Sequence, residues 1–193
     1  MNVCVFGDSI VWGANSLSKS WAALLGDYLF KKDIYMYNLG ISGDTTHDLL
    51  KRFRQECAVR SPDYVLISLG INDSSLMNGR AWVTPQRFKR NVIDLISQAK
   101  AFTKKVCIVG ITPVNDAIMQ PVPWALVSYS NERIQQYDVI LKECAKTCGI
   151  HYIPVFDVLK NSDLDDGVHP TAAGHKKLYE HIRKSLQPVL CMD

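Results

Sequence analysis

Five short apolar runs, separated by longer segments of helical period, constrain this chain more than any other feature. They are Val3–Phe6, Ile34–Leu39, Tyr64–Leu69, Val106–Ile111 and Tyr152–Val155. Four are rich in Val and Ile and bounded by Gly, Asn, Asp or Pro, as strands buried in a parallel sheet are. The run IYMYNL, Ile34 to Leu39, is more polar and reads as an edge strand. Between the runs, Trp21, Leu24, Leu25, Tyr28 and Leu29 form one apolar stripe. Thr45-x-x-Asp48 is a capping box that opens a helix through Phe53. Pro85 suits the first position of a helix with Phe88, Val92, Ile93 and Ile96 on its face. Asn131 to Cys144 turns Ile134, Tyr137, Ile140 and Leu141 inward, and Thr171 caps a last helix that buries Leu178, Ile182 and Leu186. This alternation predicts right-handed crossovers and a five-stranded parallel α/β sheet covered by helices on both faces.

A chain of 193 residues fits one domain, expected over residues 1–193, with a sizeable core. Its net charge of +3, from 22 basic and 19 acidic residues without a Lys/Arg block, points to neither nucleic acid nor an anionic membrane. It has no run of 18 apolar residues, so no transmembrane helix or stable membrane insertion is expected. The first strand begins at about Asn2 and leaves no room for a signal peptide. The expected location is therefore cytoplasmic, unless a leader has been removed. The six cysteines contain no C-x-x-C, and no histidine pair complements Cys144 and Cys148 as zinc ligands. They read as free thiols of a reducing compartment, buried where they fall in apolar runs. The longest irregular stretch, Ile111 to Ser130, is Pro-rich and carries Trp124; a loop of that length is usually functional.

Ligands of an open parallel sheet bind beyond the carboxyl ends of its strands. There the first strand delivers Gly7-Asp8-Ser9, the second Gly40, Ser42 and Gly43, and the third Gly70, Asn72 and Asp73. The last is followed by Asp166 and His169. Ser9 needs a base to act as a nucleophile. Of five histidines, His47 lies in a first helical turn, His151 opens a strand, and His175 and His181 are expected on the exposed side or near an end of the last helix. His169 differs, because it lies in a loop three residues after Asp166. A D-x-x-H turn can place a carboxylate on Nδ1–H and leave Nε2 to accept a proton. Asp163 and Asp165 lie nearby, and spacing does not separate Asp165 from Asp166 as the partner. A tetrahedral oxyanion would find donors in the Ser9 N–H, the Gly43 N–H and the Asn72 amide.

Together these residues resemble the SGNH hydrolases, the GDSL family of lipases and esterases. FGDSIVWG, NLGISGDTT, LGIND and DDGVHPTAAGH are similar to the four family blocks, in order, from first strand to last helix. The first block has Ile where the eponymous pattern has Leu, and the G-x-S-x-G elbow of α/β-hydrolases is absent. The resemblance implies a flavodoxin-like three-layer α/β/α fold. It implies Ser9 as nucleophile, His169 as base, Asp166 as its partner, and Ser9, Gly43 and Asn72 as oxyanion donors. It also implies hydrolysis of carboxylic or thioesters through an acyl-enzyme, with no metal or cofactor. Small-molecule substrates are expected, either short-chain acyl or acetyl esters or lysophospholipid-type lipids, with carbohydrate acetylesterase or acyl-CoA thioesterase activity as alternatives. Oligomeric state is not set by the sequence. Trp82, Val114, Met119 and Trp124, on the loops after Asp73 and Ile111, are expected to make the pocket wall apolar. Two rivals are a metal-dependent phosphoryl-transfer site on Asp8, Asp44, Asp73 and Asp166, which lacks a P-loop and a D-x-D, and a binding module without chemistry.

Overall fold

The structure, a computed structural model, describes residues 1–15, 18–120 and 126–190. The chain runs through β1 (Asn2–Gly7), α1 (Ser9–Trp12), α2 (Trp21–Phe30), β2 (Tyr35–Gly40), α3 (Thr46–Arg60), β3 (Tyr64–Ser68) and α4 (Ile71–Ser74). It continues through β4 (Leu76–Met77), β5 (Arg80–Ala81), α5 (Pro85–Lys100), β6 (Val106–Val109) and β7 (Val127–Ser128). It closes with α6 (Asn131–Cys148), β8 (His151–Ile153) and α7 (Ala172–Leu190). The main sheet has five strands in the order β2-β1-β3-β6-β8, all parallel. By rank along the chain this is the order 2-1-3-4-5 of flavodoxin-like sheets. The apolar runs fill the middle of the sheet, where Val3, Cys4, Val5, Phe6, Val65 and Leu66 are fully buried. The more polar β2 lies at the edge, as its composition predicts. Helices α2 and α7 cover one face, while α3, α5 and α6 pack side by side on the other.

Local signals set most helix starts. Thr45 and Asp48 form the expected capping box, Thr84 caps α5 with Pro85 at its first turn, and Thr171 Oγ1 accepts from the Gly174 N–H. Two helices outrun their expected ends. The stripe Leu49, Phe53, Cys57 carries α3 on to Arg60, and α6 continues to Cys148, where Gly149 stops it at φ 62°. Ile93 turns out to solvent, because α5 buries Phe88, Val92, Leu95 and Ile96 instead.

His175 lies near the start of α7, as one of the two expected placements has it, but not on an exposed side. It is fully buried, and its Nδ1 accepts the N–H of Trp21 at 3.2 Å. Trp21 opens α2, so its N–H has no acceptor within the helix, and His175 supplies one. Burial, with the neighbouring His169, pulls the imidazole down to about 4 and keeps it neutral.

The long irregular segments are partly ordered by each other. β5, β4 and β7 form a small antiparallel sheet that joins the loop after Asp73 to the one after Ile111. Cys4, Cys57, Cys107 and Cys144 are buried free thiols and Cys148 a partly buried one; Cys191 lies outside the described residues. Among the described residues, no helix is long and apolar enough to cross a membrane.

Candidate active site

Strand β1 can turn abruptly because it ends in glycine. A Cβ on Gly7 would lie 2.0 Å from Val11 Cγ2 and 2.7 Å from the Ser68 carbonyl oxygen. Asp8 then caps α1, its Oδ1 accepting the Ile10 N–H at 3.0 Å. The carboxylate ties down the turn, as its position in Gly-Asp-Ser suggests. Burial pushes Asp8 up to about 7, although the Ile10 N–H and a charged His169 pull it down. The turn holds Ser9 at the floor of a cleft, 7% exposed.

His169 Nε2 lies 2.9 Å from Ser9 Oγ, and His169 Nδ1 lies 2.6 Å from Asp166 Oδ2. The other oxygen, Oδ1, accepts the N–H groups of Val168 at 3.0 Å and His169 at 2.8 Å. Burial alone would raise the Asp166 pKa; the hydrogen bonds from His169 and the two backbone N–H groups outweigh it and hold the carboxyl below its ordinary range. The neighbouring carboxylates are engaged elsewhere. Asp163 binds Lys177 Nζ at 2.7 Å, and Asp165 is exposed, its N–H donating to the His169 carbonyl. Spacing left Asp165 and Asp166 equivalent, whereas the contact to the imidazole is made by Asp166.

Gly43 sits at φ 83°, and a Cβ there would meet nothing within 4 Å. Its backbone therefore faces open space in the cleft, in a conformation that favours glycine. Asn72 is 6% exposed and held at both ends of its amide. Its Nδ2 donates to the Asp44 carbonyl at 3.0 Å, and its Oδ1 accepts from Tyr129 Oη at 3.1 Å. An amide nitrogen has two hydrogens, so one remains for the cleft. The Tyr129 phenol is pushed up to about 12 by burial and by the nearby charges of Asp8 and Asp166, which keeps it a donor.

The cleft has a volume of about 360 Å³ and brings together Ser9, His169, Gly43 and Asn72. Trp12, Ala14 and Val168 give it apolar surface, while Asn15, Ser42 and Tyr129 are polar. The expected wall residues are placed differently. Val114 and Met119 are fully buried, and neither lines the cleft. A Cβ on Gly167 would lie 2.7 Å from Met119 Cε, so Met119 lies under the loop that carries Asp166 and His169. Asn115 supports the same loop by donating its N–H to the Gly167 carbonyl at 2.8 Å. Trp82 follows β5, is 41% exposed and stands apart from the cleft lining. Trp124 lies outside the described residues.

Two polar residues of the cleft have no signal in the sequence. Asn15, at φ 58°, donates from Nδ2 to Asp166 Oδ2 at 2.6 Å, and Tyr129 orients Asn72. The four carboxylates of the metal-site rival do not converge. Asp44 pairs with Arg52 at 2.7 Å, Asp73 binds Thr46, Asp166 binds His169, and Asp8 caps its turn.

A sequence model of the GDSL-like Lipase/Acylhydrolase family matches residues 5–177. An arylesterase from Vibrio mimicus is 29% identical over 94% of this chain and 86% of its own length. A thioesterase 1/protease 1/lysophospholipase L1 from Escherichia coli is 27% identical over 98% of this chain and 85% of its own. Among solved structures, a lipase/acylhydrolase from Enterococcus faecalis superposes with a TM-score of 0.81 at 25% identity, covering 97% of this chain and 95% of that one. An acetylxylan esterase from Geobacillus stearothermophilus shares the fold, with a TM-score of 0.78 at 20% identity over 96% of this chain and 93% of that one.

Proposed function

This chain belongs to the GDSL-like lipase/acylhydrolase family and is an ester-hydrolysing enzyme, and from that premise we propose how its residues divide the work. Ser9 Oγ attacks the ester carbonyl carbon while His169 Nε2 takes its proton. Asp166 holds the Nδ1–H tautomer and stabilises the imidazolium as it forms. The developing oxyanion is bound by the N–H groups of Ser9 and Gly43 and the remaining Nδ2 hydrogen of Asn72. His169 returns its proton to the departing alcohol or thiol, leaving an acyl group on Ser9. Water, deprotonated by the same histidine, then attacks the acyl carbon and releases the acid and Ser9. The observation that carries this reading is the continuous chain Ser9–His169–Asp166, at 2.9 Å and 2.6 Å.

The substrates of such a cleft are small carboxylic esters with short acyl or acetyl groups. An open cleft of about 360 Å³ with mixed apolar and polar walls supports that choice. The relatives named arylesterase and acetylxylan esterase agree with it, and the relative named lysophospholipase keeps longer acyl chains as the alternative. No nucleic acid or cofactor enters the reaction as proposed. We take residues 1–193 as one domain, supported by an apolar cluster that joins the five strands of the main sheet to the helices on both its faces. The buried free thiols favour a reducing, cytoplasmic setting. The test is a series of p-nitrophenyl esters of rising chain length, beside acetylated sugars and an acyl-CoA. The reading predicts kcat/KM highest for acetate or butyrate; a maximum at long chains or on acyl-CoA would overturn the substrate assignment.

A further inference from the structure

Asp73 follows Asn72 directly, is fully buried, and gives both its oxygens to neutral donors of one residue. The Thr46 N–H lies 3.1 Å from Oδ1 and 3.0 Å from Oδ2, and Thr46 Oγ1 donates to Oδ1 at 2.6 Å. With its hydrogen committed, Thr46 Oγ1 accepts from Asn91 Nδ2 at 2.9 Å, which anchors the pair to α5. Burying a carboxylate without a cation is costly, and burial here pushes Asp73 up to about 7. What a carboxylate offers in return is short, charge-assisted bonds of fixed geometry at the positive end of a long helix.

The two ends of this clamp belong to different elements. Thr46 opens α3, just after the loop that carries Gly43 and Asp44, whereas Asp73 lies in α4 beside Asn72. The bond from Asn72 Nδ2 to the Asp44 carbonyl is a second tie between the same two segments. We infer that Asp73 is a positioning residue: through Thr46 it sets the separation between Gly43 and Asn72, two of the three proposed oxyanion donors. The inference rests on the proposed roles of those two residues. It requires the clamp to matter when charge develops on the carbonyl oxygen and not when the ester binds. In Asp73→Asn, one oxygen is replaced by an amide N–H that faces the Thr46 N–H, donor against donor. Oδ1 keeps its bonds from the Thr46 N–H and Oγ1 while the other contact turns repulsive, so the clamp loosens and the donors shift.

The test is a double-variant cycle on p-nitrophenyl acetate at one fixed pH. Displacements of about 1 Å cost up to about 10²-fold in rate, so Asp73→Asn is expected to lower kcat about tenfold to a hundredfold with KM within about twofold. Thr46→Val, which keeps the shape but loses the hydroxyl, is expected to do the same, and Thr46→Ser to restore most of the rate. Combined with Asn72→Ala, the loss should fall short of the product of the two single losses by more than about threefold, because both act on one donor set. Losses that multiply to within about threefold, or a rise in KM with kcat unchanged, would overturn the inference and leave the proposed function standing. If Asn72→Ala alone keeps wild-type kcat, the oxyanion assignment fails and the inference falls with it. Should Asp73→Asn not fold, Thr46→Val decides by the same criteria.

Discussion

At the scale of single residues, the site is a set of short polar contacts whose geometry selects one reading among several that spacing allows. Asp166 and Asp165 are adjacent in the chain, but only Asp166 reaches His169 Nδ1, at 2.6 Å. Asp166→Asn should therefore lower kcat by about 10⁴, the cost of losing the correct tautomer, whereas Asp165→Asn stays near the wild-type rate. Steady-state kinetics of the two variants checks this, and a larger loss from Asp165→Asn would reverse the assignment. Gly43→Ala separates strain from catalysis. The added Cβ meets no protein atom within 4 Å, so the folding cost is confined to a backbone at φ 83°, of order 1 kcal/mol. The same Cβ enters the cleft beside the proposed oxyanion. Turnover should fall far more than the melting temperature, a comparison that needs only a rate and a thermal scan. Ser9, Gly43 and Asn72 were legible as candidates because each stands a few residues past a strand end, and His169 because it lies in a D-x-x-H loop, whereas spacing alone left Asp165 and Asp166 equivalent and only the family resemblance singled out Asp166. Asn15 and Tyr129 were not, since a polar residue in a loop acquires its partner only when the loop is folded. Val114 and Met119 misled for a related reason: an apolar residue in a loop suits a pocket wall as well as the underside of that loop.

At the scale of elements, caps and stripes were the reliable signals. The capping box of α3 and the Thr84–Pro85 start of α5 are local chemistry, so they survive without tertiary information. The burial of His175 was in fact readable. Stepping back one turn from Leu178, Ile182 and Leu186 reaches position 175 on the same face. The polarity of histidine argued for solvent, but a buried imidazole with a backbone N–H to accept is satisfied at Nδ1. Gly174 marks where α7 presses closest to the turn before it. Its Cβ would lie 2.4 Å from the Asp163 carbonyl oxygen and 3.0 Å from Pro170 Cβ. Helix propensity alone makes Gly→Ala favourable by about 1 kcal/mol. Here the steric term dominates. Gly174→Ala should lower the melting temperature and, by moving Pro170, lower kcat as well. A gain in stability would show that α7 is free to shift.

For the whole molecule, the parallel sheet does two jobs. It buries the apolar runs, and it gathers four chain segments at one edge, next to the point where strand order reverses between β2, β1 and β3. That much followed from the alternation of runs and stripes, whereas the small sheet of β5, β4 and β7 did not, because two-residue strands carry no period. Burial of charge at this edge leaves a signature in the pH dependence of stability. Burial raises the pKa of Asp8 and Asp73 to about 7, above the roughly 3.9 of an unfolded Asp. Between those values the folded state holds more protons than the unfolded one, so stability present at low pH is lost as pH rises toward 7. His175 acts oppositely. Its folded pKa of about 4 is below the unfolded value of about 6.5, so its contribution is present above that value and lost as pH falls. Substituting Asp73 isolates one carboxylate from this sum. Relative to wild type, Asp73→Asn should gain melting temperature from pH 5 to about pH 7 and level off above it; a constant difference across that range would mean that Asp73 is ionised throughout.

The central claim is that catalysis passes through an ester on Ser9, and it is met most directly by trapping that ester. The enzyme is mixed with p-nitrophenyl acetate, quenched in acid within the first turnovers, digested and weighed by mass spectrometry. The account predicts one acetyl group per chain on the peptide containing Ser9, none in Ser9→Ala, and a kcat for Ser9→Ala reduced about 10⁴- to 10⁶-fold. An acetyl group found on another residue, or a Ser9→Ala enzyme that keeps more than about a tenth of the wild-type rate, would contradict it.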